Sequence, residues 1–280
     1  MTKRNLPKVE IGARPGVRSD ISPKALQRWS PDVKAASQED VASISILDPI
    51  GADLWGDGVT AKRIAAALRS IGPKPVTVNV NSPGGDYFEG LAIYNLLREH
   101  SEKVTVNILG IAASAASVIA MAGDEVRIAR AGFLMIHNTW VVAAGDRHAM
   151  REVASWLEPF DETAVDIYAA RTGIDEGALA EMLDRETWIG GQSAVDQGFA
   201  DALLAADAIE IDGDAAASAS MRAERKLDLL CARAGLSNSS ARDLKRDLKG
   251  GKPGAAQNGM PGAAELTQGV EELLAKVKAL

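Results

Sequence analysis

Cysteine is nearly missing from this 280-residue chain, with Cys231 the single one. That rules out an internal disulfide and any paired-cysteine metal or redox site, and it leads us to expect a reducing, cytosolic compartment. Histidine is almost as scarce: His100, His137 and His148 are the three candidates for imidazole chemistry. Aromatic residues make up 4% of the chain while alanine occupies 48 positions, so its apolar content is mostly small side chains suited to helices and close backbone packing. Long hydrophobic runs are wanting too. The longest, Ile111 to Gly123, is too short and too rich in serine and alanine to span a bilayer, and no continuous apolar stretch follows Lys3-Arg4. No membrane partner is expected. Positive charge is in deficit, 31 Lys and Arg against 38 Asp and Glu, for a formal net charge of −7. Nucleic acid is therefore disfavoured as a partner, since phosphate neutralisation needs a basic face. What remains is a globular composition, 46% hydrophobic and 25% charged.

Residues 1–40 carry Pro7, Pro15, Pro23 and Pro31 among scattered charges without a sustained period, and read as an N-terminal arm. Residues 41–207 alternate strand and helix. Strands are expected over Val41–Leu47, Pro75–Val80, Val104–Leu109, Glu125–Ala129 and Phe133–Ile136. Between and after them, helices are expected from a Thr60 cap, over Phe88–His100 and Ser114–Ala122, and over Asp146–Arg171 despite Pro159. This rhythm predicts an α/β fold of βαβ units with a largely parallel sheet. Residues 208–280 read as a helical tail with a Gly/Pro-rich linker over 250–264. Past the linker, Leu266, Val270, Leu273, Val277 and Leu280 recur at coiled-coil spacings. Two heptads are too few to be stable alone, leaving either a peripheral helix or a docking helix for another subunit.

Three segments could carry chemistry. Asn81-Ser-Pro-Gly-Gly-Asp86 follows a predicted strand and precedes a predicted helix, where a Gly-Gly pair lets backbone N–H groups approach an anion or oxyanion. It lacks the Lys and Ser/Thr of a P-loop and the glycine spacing of a dinucleotide site, and it could be a simple turn. Ser114, within Gly110-Ile-Ala-Ala-Ser-Ala-Ala-Ser117, sits among small neighbours at the start of a helix, open to attack chemistry or serving only as an N-cap. Ser117, one turn deeper, fits the packing reading better. His137 ends the strand Met135-Ile-His-Asn138, whereas His100 closes a helix and His148 lies on a charged helical face. A serine, a base of near-neutral pKa and glycine amides are together the parts of an acyl-transfer site.

In order, Ser82-Pro-Gly-Gly85, Gly110-Ile-Ala-Ala-Ser-Ala115, Met135-Ile-His137, Arg171-Thr-Gly173, Asp184-Arg-Glu-Thr-Trp188 and Ala194-Val-Asp-Gln-Gly-Phe-Ala-Asp201 resemble the Clp-type (ClpP-like) serine peptidases. The similarity runs from about Val41 to Ala206, and within that family it is strongest to the phage and prophage head maturation proteases. The resemblance implies a ClpP/crotonase-like spiral of βαβ units whose long helix, here Asp146–Arg171, mediates ring contacts in a homo-oligomer. It implies Ser114 as nucleophile, His137 as general base and then acid, and the amides of Gly85 and Ala115 as oxyanion donors. For the third, acidic member, ungapped counting lands on Glu186, with Asp184 as competitor and Trp188 where the family places a buried aromatic. Capsid and scaffold proteins are the substrates it suggests, in the host cytoplasm beside assembling heads, and no cofactor, metal or nucleotide is implied. Three alternatives remain. One is a degradative peptidase fed by an unfoldase ATPase, another a crotonase-like acyl-CoA enzyme, and the last a non-catalytic capsid scaffold.

Overall fold

The computed structural model describes residues 17–35, 42–52, 58–211 and 215–233, with the single positions 236 and 243. In chain order the first elements are β1 (Arg18–Ser19), α1 (Pro23–Arg28), β2 (Val33–Ala35), β3 (Ser43–Ile46), α2 (Ala61–Ile71), β4 (Val76–Ser82) and α3 (Tyr87–Glu99). They are followed by β5 (Val104–Ala113), α4 (Ala115–Ala120), β6 (Glu125–Ile128), β7 (Phe133–Ile136), β8 (Val141–Val142) and α5 (Arg147–Thr172). The last are α6 (Glu176–Asp184), β9 (Thr187–Gly190), α7 (Gly191–Asp196), β10 (Ala202–Leu203), β11 (Ile209–Ile211) and α8 (Ala215–Arg233). The chain divides into two compact units, Met1–Lys226 and Leu227–Leu280. The expected linker and coiled-coil segment both lie outside the described residues.

The main sheet runs β10-β6-β5-β4-β3, every pairing parallel. A mixed α/β architecture with a mostly parallel sheet is thus what the alternating pattern produces. The central strands explain why: Val76, Val78, Val80, Val104, Val106 and Ile108 share one face and are buried, while Thr77, Thr105 and Asn107 on the other face are half-buried. At the edge, β3 alternates in the same way, with Ile44 and Ile46 inward and Ser43 and Ser45 outward. Strand β5 forks the sheet. Its first half pairs with β6 through Thr105–Ile108, and its last residues, Ile111–Ala113, pair with β7, which in turn pairs antiparallel with β9. The fork ends at Ser114.

Helices α3 and α5 begin on side-chain caps. Asp86 accepts from the N–H groups of Phe88 and Glu89, and Asp146 from those of His148 and Ala149. Helix α5 continues through Pro159 and buries Phe160, Ala164, Ile167, Tyr168 and Arg171. Its N-terminal half is different: no residue from 147 to 159 is buried. The Arg171 and Asp201 of the sequence motifs are structural partners, because the buried guanidinium pairs with Asp201 and donates to Gly123 O at 3.0 Å.

Residues 17–35, inside the proline-rich stretch read as an arm, are built into the sheet's surroundings. Strand β2 pairs antiparallel with β11, and β1 pairs antiparallel with β8. Trp29 is fully buried and its indole N–H donates to Asn81 O at 2.8 Å. In return the Asn81 amide donates to Ser30 O at 2.6 Å and Val33 O at 3.1 Å. The sequence conceals this because one anchoring tryptophan has no period, and Pro23 opens a helix rather than breaking one. Trp29→Ala should cost about 3–5 kcal/mol of unfolding free energy, the usual range for emptying a buried aromatic site. Urea denaturation of the full chain measures this, and a loss below about 1 kcal/mol would show that the segment rests on the fold without supporting it.

Candidate active site

Of residues 111–123, Ser114 alone is not buried. It joins β5 to α4 with φ 54° and ψ −127°, a backbone conformation rare for any residue with a Cβ. Although it occupies the N-cap position, its side chain makes no capping hydrogen bond. Instead Ser114 Oγ lies 2.7 Å from His137 Nε2. The capping reading of Ser114 therefore fails, and the hydroxyl is turned out of the helix toward an imidazole. In the tautomer whose Nε2 accepts the serine proton, the ring N–H sits on Nδ1.

The turn is held from three sides. Ser114 N donates to Met135 O at 2.9 Å, which ties it to β7 two residues before His137. Ser117 donates both its N–H (2.9 Å) and its hydroxyl (2.6 Å) to Ser114 O, and the Ser117 hydroxyl also meets Tyr168 Oη at 2.8 Å. Gly84 packs against the outer side: a Cβ there would fall 2.4 Å from Ala113 O and 2.7 Å from Ser114 Cβ, and its φ is 83°. Gly85, at φ 148°, faces Ile50, where Asp86 N donates to Ile50 O and Ile50 N to Gly84 O. Among the described residues the Gly85 N–H enters none of the backbone bonds that fix this turn. Ala115, first residue of α4, has no helical acceptor for its own N–H.

Burial pushes the His137 imidazole below its ordinary pKa, and the negative charge of Glu186 offsets part of that fall. Glu186 itself has φ 52° and precedes β9 rather than belonging to it. The strand parity that would place Glu186 and Trp188 on one side does not apply, because a left-handed residue interrupts the alternation. Glu186 Oε1 accepts from Trp188 Nε1 at 3.3 Å and lies 3.2 Å from Lys24 Nζ. Asp184, more exposed, accepts from Asn138 Nδ2 at 2.7 Å. Neither carboxylate hydrogen-bonds His137 among the described residues. Trp188, expected buried, is half-buried with the Arg28 guanidinium stacked 4.1 Å from its ring centre.

Two further groups position the histidine segment and were not singled out in the sequence. Asp161 on α5 accepts from Thr139 N at 2.6 Å, and burial raises its carboxyl above the usual range. Tyr168 backs Ser117 from the same helix. Their spacing of seven residues along α5 places both on one face, and only the identity of that face was legible. His100, in contrast, caps α3 against Lys74 O at 2.8 Å, and His148 is exposed at the start of α5.

A serine and an imidazole in contact, at the end of a parallel-sheet strand and beside two amides unengaged among the described residues, form the constellation of an acyl-transfer site. The Clp protease family profile matches residues 53–207, and the chain belongs to that family. The ATP-dependent Clp protease proteolytic subunit of Bacteroides fragilis is 29% identical over 177 residues, covering 60% of this chain and 84% of that protein. Subunit 1 of Chlamydia abortus is 29% identical over 181 residues, 59% and 91% of the two chains. Subunit 2 of Treponema denticola is 31% identical over 130 residues, where the match spans 45% of this chain and 64% of that protein's length.

The two opposing influences on His137 give a direct expectation. Its titration, followed by NMR of the ring protons, should show a midpoint below the ordinary value of about 6.5. Glu186→Gln should move the midpoint further down, because the charge that favours imidazolium is lost. An unchanged or raised midpoint in that variant would mean that Glu186 does not act on the ring.

Proposed function

We propose that this chain is a serine endopeptidase in which Ser114 forms the acyl-enzyme and His137 moves the proton. The single observation that carries this is the 2.7 Å contact between Ser114 Oγ and His137 Nε2 with the serine held at positive φ and excused from capping. His137 Nε2 takes the Ser114 proton as Oγ adds to the peptide carbonyl, and the negative charge forms on the carbonyl oxygen. Gly85 N–H and Ala115 N–H donate to it. Collapse of the intermediate expels the amine, which leaves with the proton from His137, and water reverses the sequence on the acyl-enzyme. Glu186 favours the imidazolium through its charge, which makes it the better candidate for the third role than Asp184, whose carboxylate is engaged by Asn138.

Assembly into a homo-oligomeric ring is supported by α5, whose residues 147–155 include no buried side chain and expose Met150. For the substrate, the motif run from Asn81 to Asn95 and from Ala112 to Asp124 favours capsid and scaffold proteins cleaved during phage head maturation, in the host cytoplasm. The second reading is a degradative peptidase working with an ATPase, favoured by the name "ATP-dependent Clp protease proteolytic subunit" carried by several relatives. Co-expression with coat and scaffold proteins, comparing the native chain with Ser114→Ala by mass spectrometry, separates the two. New coat or scaffold termini that vanish in the variant are expected, and unchanged coat and scaffold would favour the degradative reading.

On a purified peptide substrate, Ser114→Ala should lower kcat by about 10⁶ with the fold retained, as when a triad acting as a unit loses its nucleophile. Glu186→Gln should lower kcat/KM on the order of tenfold to a hundredfold, because the charge that favours the imidazolium is lost. Asp184→Asn should cost less. Steady-state kinetics of the three variants decide the assignment, and a larger loss in Asp184→Asn would move the third role to that residue.

A further inference from the structure

The N-terminal segment runs beside the candidate active site. Two backbone walls adjoin the Ser114–His137 pair: Gly85–Tyr87, which follows the Gly84 packed against Ser114, and Trp140–Val142, which follows His137. Ser19 touches both. Its hydroxyl accepts from Tyr87 N at 2.8 Å and lies within donating distance of Trp140 O (3.4 Å) and Gly85 O (3.5 Å). At the same place β1 adds to β8 as an antiparallel strand, pairing Arg18 with Val142 and Ser19 with Val141. The next residues continue along the rim: Lys24 meets Glu186, and Arg28 stacks on Trp188. Trp29 then anchors the segment in the core.

We propose that residues 17–20 are an internal occupant of the peptide groove, lying as a strand on β8 where substrate must lie, so that peptides reach Ser114 only by displacing them. The proposal rests on the peptidase reading above. A two-residue ladder and one hydroxyl with a single proton for two distant carbonyls make a weak hold. A few net hydrogen bonds correspond to a closed-to-open ratio of roughly ten to a hundred. The anchor at Trp29 lets residues 17–20 lift without loss of the fold. Since only the open fraction binds, the occupant raises apparent KM by the inverse of that fraction and leaves kcat at saturation unchanged. Strand addition also states the class of ligand: an extended peptide recognised through its backbone, antiparallel to β8.

The test uses the full chain and Ser19→Pro, which removes the bridging hydroxyl and places a residue without an N–H in the paired strand. An internally quenched peptide long enough to span both walls reports groove access, and p-nitrophenyl acetate, which needs no groove, reports the Ser114–His137 pair. Expected are a fall in peptide KM of roughly tenfold with kcat unchanged, and an unchanged ester rate. Ser19→Ala, which keeps the ladder, should shift KM in the same direction by about two- to threefold and stands in if Ser19→Pro does not fold. An unchanged or raised peptide KM with an unchanged ester rate overturns the proposal. Ester hydrolysis by the native chain no faster than by Ser114→Ala overturns the peptidase reading itself, and the occupant with it.

Discussion

Ser114 is held where an L-residue prefers not to be. A positive φ at a residue with a Cβ costs about 1–3 kcal/mol, and it survives only where the surroundings over-determine it. Here they do so with the fork of β5 toward β7, the Ser114 N bond to Met135 O, the double donation from Ser117 and the contact with Gly84. Relaxing the turn into an ordinary N-cap would direct the hydroxyl to helical N–H groups and away from His137. The strained strand-to-helix turn thus does for the nucleophile what the same device does in other hydrolases, exposing Oγ while presenting the next N–H beside it.

That single constraint explains the positions of several residues whose roles are not chemical. Gly84 is required by space and Ser117 by its reach to Ser114 O, while the Tyr168 hydroxyl backs the Ser117 hydroxyl from α5. On the histidine side, Asp161 and Asp184 pin Thr139 and Asn138, so the segment leaving β7 is fixed within two residues of the imidazole. Burial then lowers the His137 pKa and keeps the ring a neutral proton acceptor at neutral pH, which is the form a general base needs.

The parallel sheet was legible because its signal is dense. Strands with a buried β-branched residue at every second position, such as Val76–Val80 and Val104–Ile108, alternate with capped helices, and the caps Thr60, Asp86 and Asp146 fall where the pattern puts helix starts. Ser114 and His137 were legible for a different reason, since each ends a strand and the small residues around Ser114 leave it open. The third acidic role was not, because Glu186 sits at positive φ outside β9 and strand parity says nothing about a residue whose backbone departs from the strand. The N-terminal section was misread as a loose arm for want of periodicity. Its hold comes from one indole, one carboxamide and two very short strands, which are tertiary features with no local pattern.

The account stands on Ser114 being a nucleophile rather than a cap. Treating the native chain with a serine-directed fluorophosphonate and locating the adduct by peptide mass mapping tests that most directly. The account predicts stoichiometric modification at Ser114 that is suppressed when His137 is replaced by alanine. An unmodified chain, or an adduct on another serine with Ser114 intact, would contradict it.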